Sequence, residues 1–165
     1  MEAYQAIVSK RDTRDYASRP IPDDVLQRIL QAGRMAGSSK NTQPVRFVVV
    51  QDPEQKATLA ACGSFAKHLP AAPLAIAVVL EPDGGAFDAG RSAQNMMVVA
   101  WVEGITSCPT SMHDADCARE VLGLPDGHTV QIVLAMGYLE QGASINLGRE
   151  RLPQADLVHW ERWRS

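Results

Sequence analysis

Three runs of this chain carry almost no polar side chains: Phe47–Val50, Pro73–Leu80 (PLAIAVVL) and Thr129–Tyr138 (TVQIVLAMGY). A strand with one face in water alternates apolar with polar residues. A run that is apolar throughout belongs to a strand covered on both faces. Segments of helical spacing lie between these runs, which predicts an α/β or α+β layered domain with helices on both sides of a sheet. The length of 165 residues predicts one domain, 1–165, with room for a substantial core.

The helical segments carry their own start and stop signals. Pro22 followed by Asp23 and Asp24 predicts a helix start, with proline in the first turn and acids against the positive end of the dipole. Val25, Ile29, Leu30 and Gly33 form its expected inward face. A short first helix, ending near Arg11, has Tyr4, Ile7 and Val8 on one face. Pro53–Cys62 is a proline-started helix, and Phe87–Glu103 is the longest one. Met96, Met97, Val98, Val99 and Trp101 make that long helix apolar on nearly all sides, which predicts a place at the centre of the fold or in an interface. GITSCPTS reads as a short strand and loop, and Asp114 as the cap of a helix that runs to Leu122 and stops at Gly123. The mixed tail 145–165 is expected to pack across a partner subunit.

Composition excludes several classes. A net charge of -3 gives no general attraction to nucleic acid or to anionic membrane. Basic residues do gather at Lys10–Arg19 and Arg149–Arg164, which suggests a local anion site. MEAYQAIVSKR has no charged-then-apolar leader, and no uncharged apolar run approaches a membrane span, so a cytoplasmic protein is expected. Cys62, Cys108 and Cys117 are odd in number without CxxC spacing, which fits reduced thiols and argues against a disulfide framework or a zinc site. Four scattered histidines offer no HxxxH pair, so no metal is expected.

The common catalytic signatures are missing. No GxGxxG follows a strand, and neither a GxxxxGK[ST] loop nor a GxSxG elbow occurs. Cys108 before Pro109 reads first as a small buried residue at a strand end. Two stretches stand out instead. KRDTRDY sets Lys10, Arg11 and Arg14 where the first helix ends; they could satisfy the helix terminus or grip a phosphate. GSSKNTQP, Gly37–Pro44, holds more amides and hydroxyls than a helix-to-strand connector needs. Ser38, Ser39, Asn41 and Gln43 could satisfy their own backbone or read the edge of a planar heterocycle.

KRDTRDY, PIPDDVLQRILQAGRMAGSSKNTQP, AQNMMVVAWVEGITSCP, AMGY and RERLP occur in one order along nearly the whole chain. That order resembles the nitroreductase family, whose pattern is an early R-R-S-x-R-x-F, a P-S-x-x-N-x-Q-P-W loop, a helix ending A-x-x-x-G-L-G and a late G-Y-P. The resemblance implies an α+β, three-layer fold with a mostly antiparallel sheet flanked by helices, and an intertwined homodimer with flavin at the subunit interface. It implies an FMN-dependent oxidoreductase that passes electrons from NADH or NADPH to a small acceptor (a nitroaromatic, a quinone or another conjugated compound) by a ping-pong mechanism. A flavin-binding carrier or sensor with little turnover, or a relative using another flavin or deazaflavin donor, stays open beside it.

Residue by residue, the resemblance implies that Lys10, Arg11, Asp12 and Arg14, with Arg149 and Arg151 of RERLP, surround the FMN phosphate and ribityl chain. Arg14 falls near the flavin pyrimidine. Gly37, Ser38, Ser39 and Asn41, with Gln43 close by, are implied contacts to the flavin of the other subunit. CPTSM gives Thr110, Ser111 and Met112 beside flavin N5, where backbone N–H groups of Ser111 or Met112 polarise the reacting atom and no side chain acts as acid or base. Asp12 stands where the family has serine, Val45 where it has tryptophan and Gly37 where it has proline. Only Asp52–Ala72 separates the first two strands, so a more open site is expected.

Overall fold

Every residue of Leu74–Leu80 (β2) is buried, and the rest of the structure is arranged around that strand. The computed structural model of the chain describes residues 1–145 and 150–163. β2 pairs antiparallel with Val45–Val50 (β1) on one side and with Thr129–Gly137 (β4) on the other. Thr106–Thr110 (β3) pairs antiparallel with β4, giving the order β1-β2-β4-β3. The expected α+β architecture is present, with an antiparallel sheet between helical layers.

The two faces of β2 are chemically different, which the unbroken apolar run concealed. Leu74, Ile76, Val78 and Leu80 point to one side, where they meet Ile29, Met96, Leu134 and Met136. That side is covered by Asp23–Arg34 (α2) and Ala86–Val102 (α4). Ala75, Ala77 and Val79 point to the other, toward Leu59, Leu69 and Val133. Small residues there let Pro53–Ala61 (α3) and Ala115–Val121 (α5) form a thinner second layer. Each fully buried Leu or Ile contributes about 1.5–3 kcal/mol.

The predicted helix signals act as expected. Asp52 accepts the N–H of Gln55 at 2.8 Å at the head of α3, and Asp114 accepts that of Cys117 at 2.9 Å at the head of α5. α2 carries Asp23 and Asp24 in its first turn and Arg34 in its last, both favourable to the dipole.

One expectation is sharpened and one is corrected. In Ala3–Ser9 (α1) only Ala6 is buried, and Tyr4, Ile7 and Val8 are exposed. Periodicity reveals an apolar stripe but not whether that stripe meets the chain's own core. α1 leans on α4 through the small Ala6, and the Trp101 indole N–H donates to Ser9 Oγ at 2.9 Å. The correction concerns thiols: Cys62 and Cys117 form a disulfide, with Cα atoms 5.6 Å apart and a sequence separation of 55. The end of α3 and the first turn of α5 converge only once the second layer is built, so spacing held no sign of it. Cys108 is free and buried, as its position predicted. The long helix α4 also divides: Ala89, Ala93, Met96 and Ala100 enter the core, while Phe87 and Val102 are exposed.

α2 meets α4 tightly at Gly33, where an added Cβ stands 2.8 Å from Met96 Cγ and 2.9 Å from Phe47 Cζ. Gly33→Ala should therefore lower stability by about 1–2 kcal/mol through overpacking, although alanine gains about 1 kcal/mol over glycine in an unhindered helix. Urea unfolding checks the sign.

Candidate functional site

β3 is an edge strand, and its outer edge needs a partner for its backbone groups. The stretch after α1 supplies one. Asp12 forms a parallel bridge with Ser107, the Thr13 N–H donates to the Ser107 carbonyl at 3.1 Å, and the Ala17 N–H donates to that of Tyr138 at 2.8 Å. Tyr16 locks this strap: it is buried, and its hydroxyl lies 2.7 Å from the Thr13 carbonyl and 3.3 Å from that of Ala135. Thr13 is buried too, while Asp12 and Arg14 on either side of it are exposed.

The strap gathers charge at the sheet edge. Lys10 forms an ion pair with Asp12, and its ammonium lies 3.5 Å from Met97 Sδ. Burial pushes the Cys108 thiol up, and Arg14, Asp12 and Lys10 all lie close enough to act on it. Burial, then Arg14, holds His68 below the usual histidine range. Arg11 does something different: its Nη1 lies 2.8 Å from the Val8 carbonyl and 2.9 Å from that of Lys10, so it satisfies the end of α1. Ser107 Oγ and His68 Nε2 are buried without a hydrogen-bond partner, and both border the strap. Unpaired buried polar atoms are rare in a settled core, and here they concentrate at one edge.

Thr110, Ser111 and Met112 carry β3 out of the sheet; Thr110 and Met112 are buried and Ser111 is exposed. Gly63 packs against this segment so closely that a Cβ there stands 2.9 Å from the Ser111 carbonyl oxygen and 3.1 Å from Met112 Cε. The Asp114 N–H donates to the Cys62 carbonyl at 3.0 Å, and the Ser64 N–H donates to His113 Nδ1 at 3.2 Å.

The amide-rich loop lies elsewhere, at the head of β1. Lys40, Asn41 and Gln43 have φ of 50°, 55° and 52°, a left-handed conformation that costs each residue roughly 1–2 kcal/mol. The Gln43 N–H donates to Ser38 Oγ at 2.8 Å, which helps to hold the shape. Gly37, Ser39, Asn41 and Gln43 are exposed, and a cavity of about 140 Å³ lies behind them, lined by Gly37, Ser38, Arg46, Asp88 and Ser92.

Thus the expected site residues fall into two groups. Lys10, Asp12 and Arg14 gather at Ser107 and Cys108 of β3, the strand that leads to Thr110–Met112; Gly37, Ser38, Ser39, Asn41 and Gln43 precede β1 at the other edge. Three interstrand steps of about 4.8 Å, roughly 14 Å in all, separate the two edges. Arg151 is exposed ahead of Gln154–Leu157 (α6), and Arg149 lies outside the described residues. Among the described residues, no group of three His, Cys, Asp or Glu side chains could hold a metal ion, and no helix is long and apolar enough to cross a membrane.

Sequence reasoning missed Tyr16, Ser107 and His68. Tyr16 stands inside KRDTRDY but carries no charge to attract notice, and His68 meets Arg14 only through the fold. Burial raises the Tyr16 phenol far above its ordinary value. The unfolded chain releases that proton near pH 10, so Tyr16 stabilises the fold fully below that pH and progressively less above it. Tyr16→Phe should cost about 1–3 kcal/mol at neutral pH, because the Thr13 carbonyl loses its donor. The variant should also lose less stability than the wild type between about pH 9 and about pH 11, as followed by denaturant melts at each pH.

The family model "Nitroreductase family" matches residues 7–83 and 64–138. A protein of Archaeoglobus fulgidus whose name pairs NADH dehydrogenase with NAD(P)H nitroreductase is 29% identical over 173 residues, covering 98% of this chain and 99% of its own. The crystal structure of nitroreductase A from Vibrio parahaemolyticus superposes with a TM-score of 0.90 at 27% identity, covering 100% of this chain and 78% of that one. The NADPH:FMN oxidoreductase of Vibrio harveyi, solved with NAD+, gives 0.89 at 26% identity and covers 99% and 78%. The matched span contains the strap, the left-handed loop and the Thr110–Met112 segment, and the chain belongs to the nitroreductase family.

Proposed function

We propose that this protein is an FMN-dependent oxidoreductase that takes electrons from NADH or NADPH and passes them, in a ping-pong cycle, to a small conjugated acceptor such as a nitroaromatic or a quinone. The observation that carries the reading is the gathering of Lys10, Asp12 and Arg14 around Ser107 and Cys108 of β3, the strand that runs on into Thr110–Met112. An FMN phosphate is close to doubly charged, and Lys10 and Arg14, joined by Arg151, supply cations for it. A guanidinium such as that of Arg14 also suits the pyrimidine end of the flavin, where negative charge develops on reduction. The orphaned Ser107 Oγ and His68 Nε2 make this edge unusually polar for a chain with so complete a core. Bound FMN supplies the electron-transfer chemistry itself. The chain's own residues bind it, orient it and leave one face open to the nicotinamide and then to the acceptor.

The reading includes a homodimer. Gly37, Ser38, Ser39, Asn41 and Gln43 lie on the opposite edge of the sheet from the basic strap, and in this reading they serve the site of a second copy. The strained loop supports this, since left-handed non-glycine residues persist where function needs their shape. Exposed Tyr4, Ile7, Met35, Phe87 and Val102 support an apolar contact between copies, with the tail after 145 packed across the partner.

Purified protein should be yellow, bind FMN and bleach with NADH or NADPH; yellow protein that does not bleach is a carrier or a relative with another donor. Arg14→Ala should weaken FMN binding roughly 10- to 150-fold, the equivalent of losing about 1.5–3 kcal/mol of a charge-assisted bond, as read by flavin fluorescence titration. Mixing Arg14→Ala chains with Asn41→Ala chains should restore one intact site in each mixed dimer. No recovery of FMN binding on mixing would rule out a site shared between two copies.

A further inference from the structure

We infer that the Cys62–Cys117 disulfide is a thiol-exchange site, and that an external dithiol acting on it sets how firmly the neighbouring cofactor site is held. The inference rests on the FMN reading above only for the second half. The bond joins two segments that border that site. Cys62 ends α3 and leads into Gly63–His68, and His68 lies near enough to Arg14 for its charge to act on the imidazole. Cys117 lies in the first turn of α5, just after Ser111–Asp114.

Apart from the disulfide, the polar contacts between these segments are few: the Asp114 N–H on the Cys62 carbonyl, the Ser64 N–H on His113 Nδ1, the Gln55 side-chain amide on the Val121 carbonyl, and an edge-to-face contact of Phe65 with His113 at 5.6 Å, above an apolar cluster that holds Leu59, Ala66, Met112 and Ala118. Ser64, Phe65 and His113 are exposed, so water competes for these contacts. Gly63 nevertheless touches the Ser111 carbonyl and Met112, so any widening of the joint moves the backbone proposed to face the flavin. Cys108 is buried in β3, which leaves Cys62 and Cys117 as the pair that exchanges.

The two sulfurs are unequally placed. Cys117 is half-buried and Cys62 is buried, so an incoming thiolate reaches the Cys117 sulfur first. Attack there forms a mixed disulfide on Cys117, and Cys62 departs as a thiolate and takes up a proton. The Thr58 carbonyl, 3.7 Å from Cys62 Sγ, is in place to accept its S–H. The second thiol of the dithiol then attacks its own sulfur in the mixed disulfide and frees Cys117, which takes up the second proton. The dithiol loses two electrons and two protons, and the two cysteines gain them.

The test compares the chain oxidised with glutathione disulfide against the same chain treated with dithiothreitol. Reduction should weaken FMN binding at least 10-fold, reversibly, and should speed amide hydrogen exchange at 63–68 and 111–114 more than elsewhere. A Cys62→Ala/Cys117→Ala variant, with a melting curve to show that it is folded, should match the reduced chain and ignore dithiothreitol. Equal FMN affinity and equal exchange in both redox states, or three free thiols persisting after glutathione disulfide, would overturn the inference. If the oxidised chain binds no FMN but exchange still responds to dithiothreitol, the thiol site stands and the cofactor reading fails.

Discussion

The double-sided burial of β2 is the constraint on which the rest depends. Seven consecutive residues without access to water require a strand on each side and a layer on each face. Leu74, Ile76, Val78 and Leu80 are large, and they set the spacing at which α2 and α4 pack. Ala75 and Ala77 are small and admit the closer, shorter elements of the second layer. With its centre fixed in this way, the sheet carries the candidate site residues at its two edges.

Those edges are handled differently. The strap bridges β3 at Ser107, where an extended backbone buries Thr13 and turns its neighbours Asp12 and Arg14 outward, and a second bridge at Leu139 seats Tyr16 in the core. At β1 the chain arrives through a loop bent into left-handed conformations at Lys40, Asn41 and Gln43. The charged edge and the amide-bearing edge are complementary in chemistry but apart in space. A second copy brings them together in the proposed function, which also accounts for apolar side chains on α1 and α4 that the single chain leaves exposed.

Much of this was legible in the sequence for local reasons. Apolar runs marked the strands, Pro22, Pro53 and Asp114 marked helix starts, and the order of KRDTRDY, GSSKNTQP and CPTSM pointed to the family. The misses share one cause. His68 and Arg14 are distant in sequence, as are Cys62 and Cys117, and each pair meets through the packing of the second layer.

The sequence by itself determined which segments are strands, which are helices, where the helices begin and what chemistry the strap and loop can offer. These properties follow from side-chain volume, backbone preference and charge within a few residues. Only the tertiary structure decided that β3 and β1 are the outer strands, that the strap lies on one and the loop on the other, and that two cysteines face each other at 5.6 Å. Strand order and cross-chain pairing depend on how whole layers fill space, and no local pattern encodes that.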